Sequence, residues 1–124
     1  MSAHILRLLQ LLSLLAVILM IVMIFGLGHT SLATSTLSLH PPWDKCLHAT
    51  VYGVMGALML FSGALRHGLI VWLLMLCVGA FDEWHQISIP SRQTSADDLL
   101  ADALGVALGI WVAGRVRRLI RVEA

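Results

Sequence analysis

Apolar residues run along this chain in four long blocks, each closed by a short polar break. The first block extends from about Leu8 to Leu27, interrupted by the polar side chains of only Gln10 and Ser13. Roughly 20 apolar residues rising about 1.5 Å each cross a hydrocarbon core of about 30 Å. A cleaved secretory leader is the rival reading, but its apolar region would run about 7–15 residues. The longer block predicts an uncleaved span over about residues 5–28. The second block runs from about Cys46 to Leu65, and the fourth from about Asp98 to Gly114. The third begins near Leu69 and is strictly apolar only to Phe81. That is too short to cross, so Asp82, Glu83, His85 and Gln86 are expected within the membrane or at its edge.

The breaks carry turn chemistry. Residues 30–43 are rich in Ser and Thr and hold Pro41-Pro42, which predicts a loop with a sharp approach to the next helix. Arg66-His67-Gly68 reads as a tight turn, and Ser88 to Ser95, with Pro90 and Arg92, as a further loop. The prediction is an all-α bundle of four transmembrane helices forming a single domain over residues 1–124. Composition agrees: 59% of residues are hydrophobic and 12% charged, against about 45–50% and 25% in soluble domains. Cys46 and Cys77 read as small apolar residues rather than a disulfide.

Charge is distributed by side. Arg7, Arg66, Arg115, Arg117, Arg118 and Arg121 flank one set of span ends, and Lys45 and Arg92 the other. Basic residues accumulate on the cytoplasmic side, so both termini are expected there, in the plasma (inner) membrane. The C-terminal arginines set topology and attract anionic lipid. The acids divide the opposite way: Asp44, Asp82, Glu83, Asp97, Asp98 and Asp102 fall at outer ends, and only Glu123 inside. A net charge of +1 gives no support for a nucleic-acid partner.

Helical spacing gathers the outer polar residues onto faces. Asp44, Lys45, His48 and Tyr52 fall within about 100° on the second helix, and Asp82, Glu83 and Gln86 within about 100° on the third. His85 stands at their flank and Trp84 opposite, as an interfacial anchor. Asp98 and Asp102 share a face of the fourth helix, which also carries Ala101, Gly105, Gly109 and Ala113. The second helix has a matching run, Ala49, Gly53 and Ala57. Small residues at this spacing let helices approach closely in lipid. The second and fourth helices are therefore expected to pack together; dimerisation through the same stripe is the alternative. Plainer roles stand beside the functional ones. Ser95-x-x-Asp98 resembles a capping box, Lys45 could snorkel to headgroups, Tyr52 could be core, and Asp97 reads as solvated. Asp82, Glu83 and Asp102 are costly at depth unless paired or neutralised, so they should face inward.

Asp44-Lys45-x-x-His48 with Tyr52, Asp82-Glu83-x-x-Gln86, Pro90-x-Arg92 followed by Asp98, and Asp102-x-x-Gly105-x-x-x-Gly109 together resemble the VanZ-like family, over about residues 43–114. The first span is additional to that stretch. One departure is Asp102, where the family usually carries Asn. The family is named for a protein associated with low-level resistance to the glycopeptide teicoplanin. The resemblance implies a multi-span envelope protein with a polar outer site, and not that this chain confers resistance.

Three functions fit these residues. One is binding, without chemistry, of a lipid-linked or envelope-active compound, through Asp44, Lys45, Tyr52, Gln86, Arg92, Asp98 and Asp102. The second is an enzyme acting on a phosphate-bearing lipid. Glu83, His48 and Asp82 would be its catalytic residues, with His48 or Glu83 as general base, and Arg92 and Lys45 would hold phosphate. No cofactor is predicted, although Asp44, His48, Glu83 and His85 offer a mixed oxygen and nitrogen set that could accept a divalent metal. The third is a transporter, which four spans could form only as a homo-oligomer.

Overall fold

The computed structural model describes residues 2–27, 42–88 and 95–122. They form four helices and, among the described residues, no strand: α1 (Ala3–Leu27), α2 (Trp43–Ser62), α3 (Gly68–Gln86) and α4 (Ala96–Val122). All four are long and apolar enough to cross a membrane. The protein is an all-helical, multi-pass membrane protein, as the blocks predict.

The ends differ from the sequence expectation for local reasons. α2 stops at Ser62 rather than near Leu65 because Gly63 turns left-handed at φ 76° and donates its N–H to Leu60 O at 3.2 Å. Glycine takes this conformation without a Cβ penalty. α3 continues without a break through Asp82 to Gln86, so the polar residues form its last turns. α4 runs about two turns past Gly114, carrying Arg115, Arg117 and Arg118 within the helix. Arginine is a good helix former, and its charge suits a helix C-terminus.

α2 and α4 form the central pair, with α1 against α2 and α3 against both. The small residues are used within the chain. A Cβ placed on Gly105 would fall onto the Ala49 carbonyl, and one on Gly109 onto the Gly53 carbonyl. The core along this seam holds Met55, Met59, Leu60, Val106 and Ala113, completed by Val71 and Met75 from α3 and Val17 from α1. Away from the polar end, two further hydrogen bonds tie the helices. Trp72 Nε1 donates to Ala103 O at 2.9 Å, and Arg117 Nη1 to Leu60 O at 3.1 Å, a second bond to the carbonyl that also accepts the Gly63 N–H. α1 exposes Leu8, Leu11, Leu12, Leu15, Leu19 and Val22, a surface suited to lipid. Its buried Ser13 returns its hydroxyl to Leu9 O at 2.7 Å.

Gly105→Ala and Gly109→Ala are each expected to force the two backbones apart and lower stability by about 1–3 kcal/mol. Gly114→Ala, with nothing within 4 Å of the added methyl, should be neutral or slightly stabilising. Reversible unfolding in mixed micelles measures the difference, and equal stability of all three variants would remove the glycine contact as the basis of the pair.

Candidate functional site

The antiparallel arrangement brings the N-termini of α2 and α4 and the C-terminus of α3 to one end of the bundle. Nearest the surface, Lys45 Nζ lies 3.0 Å from Asp98 Oδ1 and 3.7 Å from Asp44 Oδ2. Lys45 is therefore paired across the α2–α4 seam. One turn deeper, His48 Nδ1 is 3.0 Å from Oδ1 of Asp102, a residue only 1% exposed. With Asp102 ionised, Nδ1 carries the hydrogen; Nε2 is then an acceptor in the neutral ring and a second donor in the imidazolium. The His48 ring stands parallel to Tyr52, at 6.3 Å between centroids and 4° between planes. The buried Tyr52 hydroxyl reaches Asp82 Oδ2 at 3.4 Å, a long hydrogen bond. Asp82 and Gln86 are themselves buried.

The expected capping box is shared between two helices. Ser95 Oγ accepts the N–H of Asp97 at 3.2 Å, as an N-cap does. In a local box the Asp98 carboxylate would accept the Ser95 N–H. Here Glu83 Oε2, from α3, accepts it at 3.0 Å, and Asp98 is released to pair with Lys45. Glu83 thus fixes the start of α4 against the end of α3. Sequence reasoning also missed Gly79. A Cβ there would sit 2.9 Å from Asp102 Oδ2 and 3.4 Å from Tyr52 Cε1. The glycine makes room for the buried carboxylate. Its position three residues before Asp82, on the same helical face, was the available signal.

The described part of the cluster holds five carboxylates, Asp44, Asp82, Glu83, Asp98 and Asp102, against Lys45 and His48. Two carboxylate oxygens, Glu83 Oε1 and Asp102 Oδ2, are buried without a hydrogen-bond partner among the described residues. One ligating atom each from His48, Glu83 and Asp98 lie within 4.8 Å of one another. Of the residues read from the sequence, Asp44, Lys45, His48, Tyr52, Asp82, Glu83, Gln86, Asp98 and Asp102 come to this end. His85 turns to the flank, edge-on to Phe25 of α1 at 5.7 Å. Asp97 and Trp84 are exposed, and Cys46 and Cys77 are free thiols. Arg92 and Pro90 lie outside the described residues.

This arrangement, a helical membrane bundle with a polar cluster at one end, is accompanied by a family match over almost the whole chain. A family model described as VanZ/LLP1 matches residues 5–117, and the chain belongs to that family. The match takes in the first span as well as the region that carries the motifs. No curated protein gives a significant match, nor does any solved structure.

Asp102→Asn would keep an acceptor for His48 while removing a buried carboxylate oxygen that has no partner among the described residues. It is expected to fold and to be about 1 kcal/mol more stable, since an isosteric neutral group avoids the desolvation of the carboxylate. Gly79→Ala should be destabilising, because its methyl meets Asp102 Oδ2. Thermal melting of the two purified variants would refute this account of the buried acid if Asp102→Asn melted well below wild type.

Proposed function

We propose that this protein binds a lipid-linked or envelope-active compound at the polar end of the bundle, and that this end faces outward from the plasma membrane. The observation that carries the reading is the pair of buried carboxylate oxygens, Glu83 Oε1 and Asp102 Oδ2, lacking partners among the described residues. Burying such atoms is costly unless a donor or cation meets them. A bound ligand that presents an amine or other hydrogen-bond donor offsets that cost. Asp44, Lys45, Tyr52, Gln86, Asp98 and Asp102 form its surroundings, and Arg92 belongs with them by motif. The link to glycopeptide resistance enters only through the family's name and is the particular envelope activity to assay.

A second reading is favoured by one observation, the convergence of His48, Glu83 and Asp98 within 4.8 Å. A divalent metal there would have two carboxylates and an imidazole as ligands, a set suited to Zn²⁺ or Mn²⁺. It would also reconcile an acid-rich site with a phosphate-bearing lipid, and so support hydrolase or transferase chemistry. Asp102 would then hold the imidazole from behind, as outer carboxylates do for metal-binding histidines. A transporter finds less support, because the acids gather at one end of the helices rather than through their depth.

Lipid and small-molecule analysis of material co-purified with wild type and with Glu83→Gln, together with elemental analysis, tests both readings. A defined lipid or envelope compound enriched only with wild type supports binding. Stoichiometric metal lost in the variant supports the metal reading. Identical bulk lipid and no metal in both samples would overturn the two together. Orientation is tested separately with Cys46, an exposed thiol in the first turn of α2. A membrane-impermeant maleimide should label it in intact cells and should not label Cys46→Ser; labelling only after lysis would invert the topology.

A further inference from the structure

The opposite end of the bundle holds a cleft of about 500 Å³ between the start of α3 and the last turns of α4. Four guanidinium side chains line it: Arg66, Arg115, Arg117 and Arg118. None of the four makes an ion pair among the described residues, where every ion pair involves Lys45 or His48. Arg117 spends one N–H on Leu60 O, and Arg115 lies over the Trp111 ring at 4.9 Å. Arg66 and Arg118 are exposed. Four like charges around one cleft repel each other unless an anion joins them.

A second feature of the same cleft points the same way. α3 begins there at Gly68, with His67 extended before it, no side-chain cap and no acid in its first turn. A helix N-terminus carries partial positive charge and unsatisfied N–H groups, and it binds phosphate readily. Gly68 is also what lets this terminus sit against α4, since a Cβ there would lie 2.9 Å from Ile110 Cγ2. Leu60, Ile110 and Trp111 add apolar lining beside the charges.

We propose that this cleft is a phosphate-binding site, in which the guanidinium groups and the α3 N-terminus hold a phosphate group. Guanidinium matches phosphate oxygens in a two-pronged fashion. The apolar lining favours a phosphate that carries a hydrocarbon chain, as a phospholipid headgroup does. The site is separate from the acidic cluster and does not depend on what that cluster binds.

The test uses the full chain in nanodiscs of phosphatidylcholine, with and without phosphatidylglycerol, and in neutral detergent titrated with inorganic pyrophosphate. Thermal stabilisation and native mass spectrometry report binding. Wild type should be stabilised and should retain an anionic lipid. Arg66→Gln and Arg118→Gln should each weaken binding by about tenfold, the usual effect of losing one charge-assisted hydrogen bond. Both side chains are exposed, so both variants should fold. Arg7→Gln removes a charge from the same end of the bundle but outside the cleft, and should bind as wild type does. Stabilisation by phosphatidylglycerol alone would identify a lipid headgroup as the ligand; stabilisation by pyrophosphate as well would identify a site for phosphate in general. Equal losses in all three variants would reduce the effect to surface charge and overturn the proposal, as would the absence of stabilisation by either probe.

Discussion

The contact on which the other features depend is the approach of α2 to α4 with no side chain between their backbones. Gly105 lies against the Ala49 carbonyl and Gly109 against the Gly53 carbonyl, and neither position can accept a methyl group. In lipid there is no hydrophobic force to bring helices together, so close van der Waals contact of this kind has to supply much of the attraction. It also sets register. Once Gly105 is under Ala49, Asp98 and Asp102 stand beside Lys45 and His48, and at the far end Arg117 reaches Leu60. A shift of one residue would separate all of these pairs together.

The polar end is built on that register and is only partly neutralised by it. Lys45 answers Asp98 and Asp44, and His48 answers one oxygen of Asp102. Glu83 gives one oxygen to the Ser95 N–H and thereby locks α3 to the start of α4. If these acids served only to hold helices together, fewer of them would suffice, since a charge within a span is costly, about 2.5–3.5 kcal/mol at a helix centre on insertion scales and less towards the ends. Among the described residues, that excess of acid over base accompanies the two unpartnered oxygens of Glu83 and Asp102 as a reason to look for a ligand at this end.

The four spans were legible because a membrane imposes a length and a polarity on each one. The α2–α4 contact was legible in part: small residues every four positions pointed to close helix packing but left a dimer as the alternative, and the structure shows that the stripe is used within the chain. The bounds were less so. Nothing in the run from Phe61 to Leu65 signals a stop except the conformation of Gly63, and the arginines after Gly114 read as a tail although they continue α4. At the site, the wheel grouped nine residues that the structure brings to one end of the bundle, but could not assign partners. Ser95-x-x-Asp98 fits a local capping box by spacing, yet the carboxylate that completes it comes from Glu83, twelve residues away on another helix. Gly79 was passed over because a glycine announces its role only through what lies opposite. The arginine cleft was invisible for a different reason: Arg66 and Arg118 are far apart in the chain and meet only when the start of α3 folds onto the end of α4.

The separation of α2 and α4 along the chain also has a consequence for biogenesis. α2 and α3 leave the ribosome before α4, carrying Lys45, His48, Asp82 and Glu83, while the partners of Lys45 and His48 on α4 are still to be made. At about 5–20 residues per second, those side chains wait for seconds beside water, headgroups or the insertion machinery. α4, made after both α2 and α3, is thus the helix that closes this cluster. A nascent chain halted before α4 would present an open polar edge in the membrane, a form that quality-control proteases could recognise.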